Sequence, residues 1–296
     1  MLKKSYRRKK SLIAYSFILP NFIGYFILTF IPIILTFVMS LCEWNFGQTV
    51  NFVGFKNFIQ MFTKDSQFSL VLINTIYYTV VTVPVTMLFS LLLAMLMNSN
   101  LKGRVFFRSV LFFPYVASLV AIAIVWMALF SPQSGPVNSV LRSIGIANPP
   151  RWAADKHWAM PTIIGLTVWK GVGYYMIVYL AALQGVPGEL YEAARIDGAS
   201  GFQQFTNITW PTVTPTTFFV VMMLTISTFK SYDIMYITTQ GGPGTATKVL
   251  AYHIYNKAFK DNAFGYASAL SIVLFLIVLA FTLLQFKVEK RFTNDL

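Results

Sequence analysis

Six stretches of this chain carry no charged residue and are long enough to cross a lipid bilayer, which restricts the folds open to it. Ser11–Cys42, Ser66–Leu101, Ser109–Leu141, Gly171–Gly188, Gly198–Phe229 and Asn262–Phe286 contain no Asp, Glu, Lys or Arg. Each is close to or above the ~20 residues a helix needs to span hydrocarbon. Lipid gives backbone N–H and C=O groups no partners, so uninterrupted helices are the economical solution. The predicted spans are 12–41, 69–98, 105–130, 160–184, 212–239 and 264–286. The first and fifth have length to tilt or to end in interfacial turns. Only 11% of the residues are charged, whereas a soluble domain would carry about a quarter. The fold class is an all-α integral membrane protein.

Orientation follows from Lys and Arg. Lys3, Lys4, Arg7, Arg8, Lys9 and Lys10 precede the first span, Lys102, Arg104 and Arg108 join spans two and three, and Lys287, Lys290 and Arg291 follow the last. Both termini are therefore expected inside the cell, with Arg195 on the same side. Lys230, Lys248, Lys257 and Lys260 dissent, falling outside in this arrangement. The net charge of +13 then reads as a topology signal and an attraction to anionic headgroups. Nucleic acid is a poor explanation, because no basic soluble domain is predicted.

Other classes lose their support residue by residue. The basic start resembles a signal peptide, but the apolar run to Leu41 far exceeds the ~7–15 residues of a cleavable segment. Cys42 is the single cysteine, which excludes an internal disulfide or a cysteine cluster. His157 and His253 lack neighbouring ligands at metal spacing. Gly241-Gly242-Pro243-Gly244 before Lys248 lacks phosphate-loop spacing, since Val249 follows the lysine. No catalytic residue, metal site or cofactor is expected. If ATP is consumed, another chain must bind it.

The connection between spans four and five is the most structured of the loops. Pro187 suits a helix start and Gly198 a helix end. Glu189 and Glu192 lie near the N-terminal end, where the helix dipole favours acids. Ser200-Gly201-Phe202-Gln203 fits a capping box for a second short helix, expected to end near Thr209 before Pro211 and Pro215. Ala193 and Ala194 would let another surface approach the backbone. An amphipathic connector lying on the membrane fits the periodicity equally well.

Glu192-Ala193-Ala194, Gly198 and Ile208-Thr209-Trp210-Pro211, with three and nine residues between the groups, resemble the EAA motif of permease subunits of bacterial ABC importers. Trp210 stands where the family usually has leucine. Leu190-Tyr191-Glu192-Ala193-Ala194-Arg195-Ile196-Asp197-Gly198-Ala199, Pro215, Trp169-Lys170-Gly171, Gly241-Gly242-Pro243 and Tyr252-His253-Ile254-Tyr255 are similar to the carbohydrate permeases of the maltose and multiple-sugar type. The external Gly-Gly-Pro turn resembles the maltose-subunit side of the heterodimer. The resemblance implies a type I permease fold in a bacterial cytoplasmic membrane. It implies a second permease subunit, two ATPase subunits that bind ATP and Mg, and an extracytoplasmic sugar-binding protein. Glu192, Ala193, Ala194, Asp197 and Gly198 would couple to the ATPase. The implied organisation is a basic tail over 1–11, a first helix with an external segment over 12–68, and a five-helix core over 69–286 with its coupling loop at 187–211. A cytoplasmic tail over 287–296 completes it.

A sugar site needs aromatic platforms and a few polar groups near mid-membrane. Span four supplies Trp169, Lys170, Gly171, Tyr174 and Tyr175, and span five supplies Ser227, Thr228, Lys230, Ser231, Tyr232 and Asp233. Intramembrane charges are functional candidates, and Lys230 and Asp233 are three apart, as on one helical face. The lysines could instead snorkel or tie helices together. By resemblance, solute contacts fall near Gly171, Tyr174, Thr228 and Ser231, where Thr228 and Ser231 replace asparagines of the maltose-type subunit and argue against maltose itself. Two other readings remain: a same-family importer for an acidic or non-sugar solute (glycerol phosphate, a uronate), and a stand-alone secondary transporter. The second would want acidic relays and inverted repeats, and Asp233 is the single candidate acid within the spans.

Overall fold

The computed structural model describes residues 2–45, 47, 49–99 and 101–293. The chain opens with α1 (Leu2–Tyr25), a π-type turn (Phe26–Phe30) and α2 (Ile31–Ser40), which form one continuous helical run. Short strands β1 (Cys42–Glu43) and β2 (Asn51–Phe52) precede α3 (Lys56–Thr63) and the long α4 (Phe68–Asn98). Next come α5 (Arg104–Val116), α6 (Leu119–Leu129), α7 (Pro136–Ser143) and α8 (Ala159–Gln184). The inter-span loop contributes α9 (Gly188–Ile196) and α10 (Gly201–Gln204); a second π-type turn (Phe205–Thr209) leads into α11 (Trp210–Lys230). The described chain closes with α12 (Asp233–Thr238), α13 (Leu250–Phe259) and α14 (Phe264–Thr293). The expected basic tail is thus helical from Leu2; of the expected C-terminal tail, residues 294–296 lie outside the described residues.

Among the described residues, five helical runs are long and apolar enough to span a membrane: Ile13–Ser40, Phe68–Asn98, Ala159–Gln184, Gly201–Lys230 and Phe264–Glu289. The third predicted span is not one helix. It breaks at Ala117-Ser118, both extended, and α5 and α6 meet at 102°. Counted together they make the sixth span. The fifth predicted span also differs: its helix starts at Gly201, runs through Pro211 and Pro215, and stops at Lys230.

Both π-type turns come just before a proline. Ile31 donates its N–H to the Phe26 carbonyl ahead of Pro32, and Trp210 to the Phe205 carbonyl ahead of Pro211. The wider turn accommodates a ring that would clash with the carbonyl four residues back in a regular α-helix. That is why Pro211 does not end the second loop helix as its sequence suggests.

The contacts divide the chain into two units, one running to Asp65 with Ile254–Val273, the other containing Ser66–His253 with the chain from Leu274 onward. In the first, β1 and β2 pair antiparallel with Cys42 opposite Phe52. Buried Asn57 donates to the carbonyls of Ser40 and Cys42, both at 2.9 Å, and the Tyr266 hydroxyl donates to Asp65 at 2.7 Å. No residue in the apolar window of the first span is buried.

In the second unit α4, α8 and α11 share a core of Val83, Leu91 and Met97 from α4, Met176, Tyr179 and Leu183 from α8, and Val213, Val220 and Leu224 from α11. Lipid is as apolar as leucine, so close packing and hydrogen bonds, more than burial from water, hold such helices together. The Ser90 hydroxyl donates to the Val172 carbonyl at 3.1 Å, joining α4 to α8. At Gly173 the α8 backbone meets α5 so closely that a Cβ would overlap the Leu111 carbonyl. Outside the spans, Asp155 accepts the backbone N–H groups of His157 and Trp158 at 2.8 and 3.2 Å. The His157 N–H is the main reason its carboxyl is held below the usual range.

Candidate functional site

The inter-span loop forms the predicted pair of helices around a glycine corner. Gly198 has φ +74, and the N–H of Ala199 donates to the Ala194 carbonyl at 2.8 Å while that of Gly198 donates to Arg195 at 3.1 Å. This is a Schellman ending, in which a left-handed residue satisfies the last carbonyls of α9. Nothing lies within 4 Å of a Cβ placed on Gly198, so backbone conformation and not crowding calls for glycine there. The predicted capping box is present: Ser200 Oγ accepts from the Gln203 N–H at 3.4 Å, and Gln203 Oε1 accepts from the Ser200 N–H at 2.7 Å. The Tyr191 hydroxyl meets that of Thr209 at 2.9 Å, tying α9 to the base of the fifth span.

The outer face of this helix pair is apolar as well as charged. Ile196 is 87% exposed and Phe202 76%. Glu192, Ala193, Asp197 and Gly198 are exposed and Ala194 half-buried.

Toward the other end of α8 and α11 lies a cavity of about 210 Å³. Among its lining residues are Tyr78, Tyr115, Lys170, Thr228, Ser231 and Asp233. The Tyr78 hydroxyl bonds Thr167 Oγ1 at 2.9 Å, and Thr228 Oγ1 donates back to the carbonyls of Leu224 and Thr225. Asp233 starts α12 and accepts the Ile234 N–H at 2.9 Å, which leaves its second oxygen available. Tyr115 stacks on Tyr174 with centroids 4.4 Å apart. The cavity therefore offers aromatic faces beside hydroxyls and one carboxylate.

Over residues 86–294 the sequence matches the binding-protein-dependent transport system inner membrane component family. The chain belongs to this family. This permease is 36% identical over 286 residues to the probable ABC transporter permease protein YurN of Bacillus subtilis (strain 168), covering 95% of this chain and 97% of the relative. It is 38% identical over 260 residues to the lactose transport system permease protein LacF of Rhizobium radiobacter, covering 86% of each. Its structure superposes with a TM-score of 0.84 on a chain of a bacterial alginate ABC transporter in complex with an alginate pentasaccharide-bound periplasmic protein. That pair is 26% identical, over 96% of both chains.

The permease cavity gathers most of the residues selected from sequence. Lys170, Gly171, Thr228, Ser231 and Asp233 line it. Tyr174 does not; it backs Tyr115, which does. Lys230 faces a neighbouring hollow with Met223, Ile226 and Tyr232, which shares Ser227, Ser231 and Asp233 with the cavity. Lys230 and Asp233 do not share a helical face as expected, because the helix ends at Lys230 and restarts at Asp233, although both line that hollow. Trp169 turns to an apolar groove with Tyr77, Phe89 and Gly165.

Lys170 is engaged. Its Nζ donates to the carbonyls of Tyr115 at 2.8 Å, Pro114 at 3.2 Å and Ala117 at 3.5 Å. Sequence reasoning missed Tyr78, Tyr115 and Thr167 as cavity residues, although a polar side chain inside an apolar span is a readable signal.

Proposed function

We propose that this chain is the transmembrane half of an ATP-driven carbohydrate importer, with α9 and α10 as the element that couples it to an ATPase. The exposed apolar residues of that helix pair carry the reading. Leu190, Ile196 and Phe202 lie on a short, rigidly capped loop element between two spans, and an interface with another protein would bury them. Glu192 and Asp197 would meet basic or amide groups in an ATPase cleft, as mechanical contacts without an acid–base role. Two ATPase subunits would bind the ATP and Mg.

The carbohydrate class rests on the cavity. Tyrosine faces suit sugar rings, while Ser227, Thr228, Ser231 and Asp233 suit hydroxyls. At about 210 Å³ it falls below the ~300–1,000 Å³ of sites that enclose a small molecule. A second permease of the same family would complete it, and an extracytoplasmic sugar-binding protein would load it. The lactose and alginate importers named above are in keeping with a saccharide. Both termini are assigned to the cytoplasm of a bacterial cell, which requires α5 and α6 to cross the membrane once as a pair.

Gly198→Asp and Glu192→Lys test the coupling. Each is expected to leave the chain in the membrane at the normal amount while abolishing ATP-dependent solute uptake. Loss of both variants from the membrane would make the loop a folding element and contradict the reading.

A further inference from the structure

We propose that Lys170, Gly173 and Tyr174 form a clamp on one face of α8 that holds the broken end of α5, with Lys170 as its cap. The importance of Tyr115 to solute passage rests on the importer reading above; the clamp itself rests on geometry.

The break creates the need. Ala117 and Ser118 are extended, with ψ 151 and 128, so the regular helix stops at Val116 inside the membrane. The last carbonyls of a helix have no following turn to bond them, and each left bare in an apolar medium costs several kcal/mol. Lys170 Nζ reaches two of these carbonyls, Tyr115 at 2.8 Å and Pro114 at 3.2 Å, and the Ala117 carbonyl in the break itself at 3.5 Å. An ammonium has three donors and no acceptor; the two shorter contacts are full hydrogen bonds and the third is a longer one. Its charge also sits at the negative end of the α5 dipole. The device recurs at the other end of the membrane, where Arg108 donates to the Met97 carbonyl in the last turn of α4 at 2.7 Å.

The other two positions extend the grip. Gly173 brings the α8 backbone against Leu111 of α5. Tyr174 stacks on Tyr115 at 4.4 Å and 15°, and the Lys170 ammonium lies 5.4 Å from the centre of the same Tyr115 ring. Spacing of i, i+3 and i+4 puts the three on one face, and all three address α5. Tyr115, a wall of the cavity, is therefore positioned from α8. Lys170 is a positioning residue and does not pair with an anionic solute.

The test uses the assembled transporter in cells lacking the chromosomal copy, supplied with labelled lactose, diacetylchitobiose or sn-glycerol 3-phosphate. In parallel, Ser118→Cys in a Cys42→Ala background is labelled with a maleimide. Lys170→Met should lower maximal uptake about tenfold, the scale of a lost charge-assisted hydrogen bond, with half-saturation unchanged and whatever the charge of the solute. It should speed labelling of Ser118→Cys several-fold, and Lys170→Arg should restore most of both. Tyr174→Leu, which keeps the ammonium, should also speed labelling. A loss confined to sn-glycerol 3-phosphate, appearing as raised half-saturation, would overturn the clamp and make Lys170 a charge reader. Unchanged labelling in both Lys170→Met and Tyr174→Leu would overturn it as well. A wild type that takes up none of the three solutes shows that these are not its cargo, and labelling then decides the clamp alone.

Discussion

Two glycines show how differently one residue type can be constrained. Gly173 is needed for space, because any Cβ there runs into the α5 backbone. Gly173→Ala should force α5 and α8 apart at a cost of about 1–3 kcal/mol, seen as a lowered melting temperature in detergent; an unchanged value would show that the contact is looser than described. Gly198 is needed for its φ of +74 and has open space around it. Ser200→Ala should remove about 1 kcal/mol of capping and raise hydrogen exchange at Gly201–Gln203 about fivefold, with no change in the cores of α4 and α8. Exchange unaltered at those amides would mean that the capping box contributes nothing. Both loop features were legible in the sequence because their signals are local: a glycine at the helix end, and a serine three residues before a glutamine. The commitment of Lys170 was not legible. A lysine in an apolar span announces only that it needs partners, and these lie some 55 positions away in the chain.

Elements were legible where periodicity and composition act alone. The long helices α4 and α8 follow their predicted spans closely, and α14 begins where its span was predicted and runs on to Thr293. The two broken spans were not, because no glycine or proline occupies the breaks at Ala117-Ser118 and Ser231-Tyr232. The carbonyls at the first break are met by Lys170, a tertiary contact that propensity does not encode. The opposite error occurred at Pro211, where a proline suggested a helix end and a π-type turn carried the helix through. Replacing Pro211 with alanine should therefore leave Gly201–Lys230 helical by site-directed spin labelling; a new break at that position would contradict the account.

At the scale of the whole molecule the charge distribution and the bent third span must agree. If α5 and α6 cross once, cysteines introduced singly at Lys10 and Lys287 of a Cys42→Ala chain should both resist a membrane-impermeant maleimide applied to intact cells. Protection at one site and labelling at the other would leave five crossings and refute the even topology. Composition made the membrane assignment, and the spacing from Glu192 to Pro211 suggested the family. The cavity could not be read as a unit, since it draws on residues from Tyr78 to Ile234 that only packing assembles. The exposed first span and the exposed face of the inter-span helices leave surfaces that an assembly would cover.

Purification of the tagged chain in mild detergent, with mass identification of what accompanies it and an ATPase assay of the product, tests the central claim most directly. The account predicts recovery of a second permease and a nucleotide-binding subunit, with ATP hydrolysis stimulated by a saccharide-loaded binding protein. A lone chain or homodimer that moves solute in proteoliposomes without ATP would contradict it.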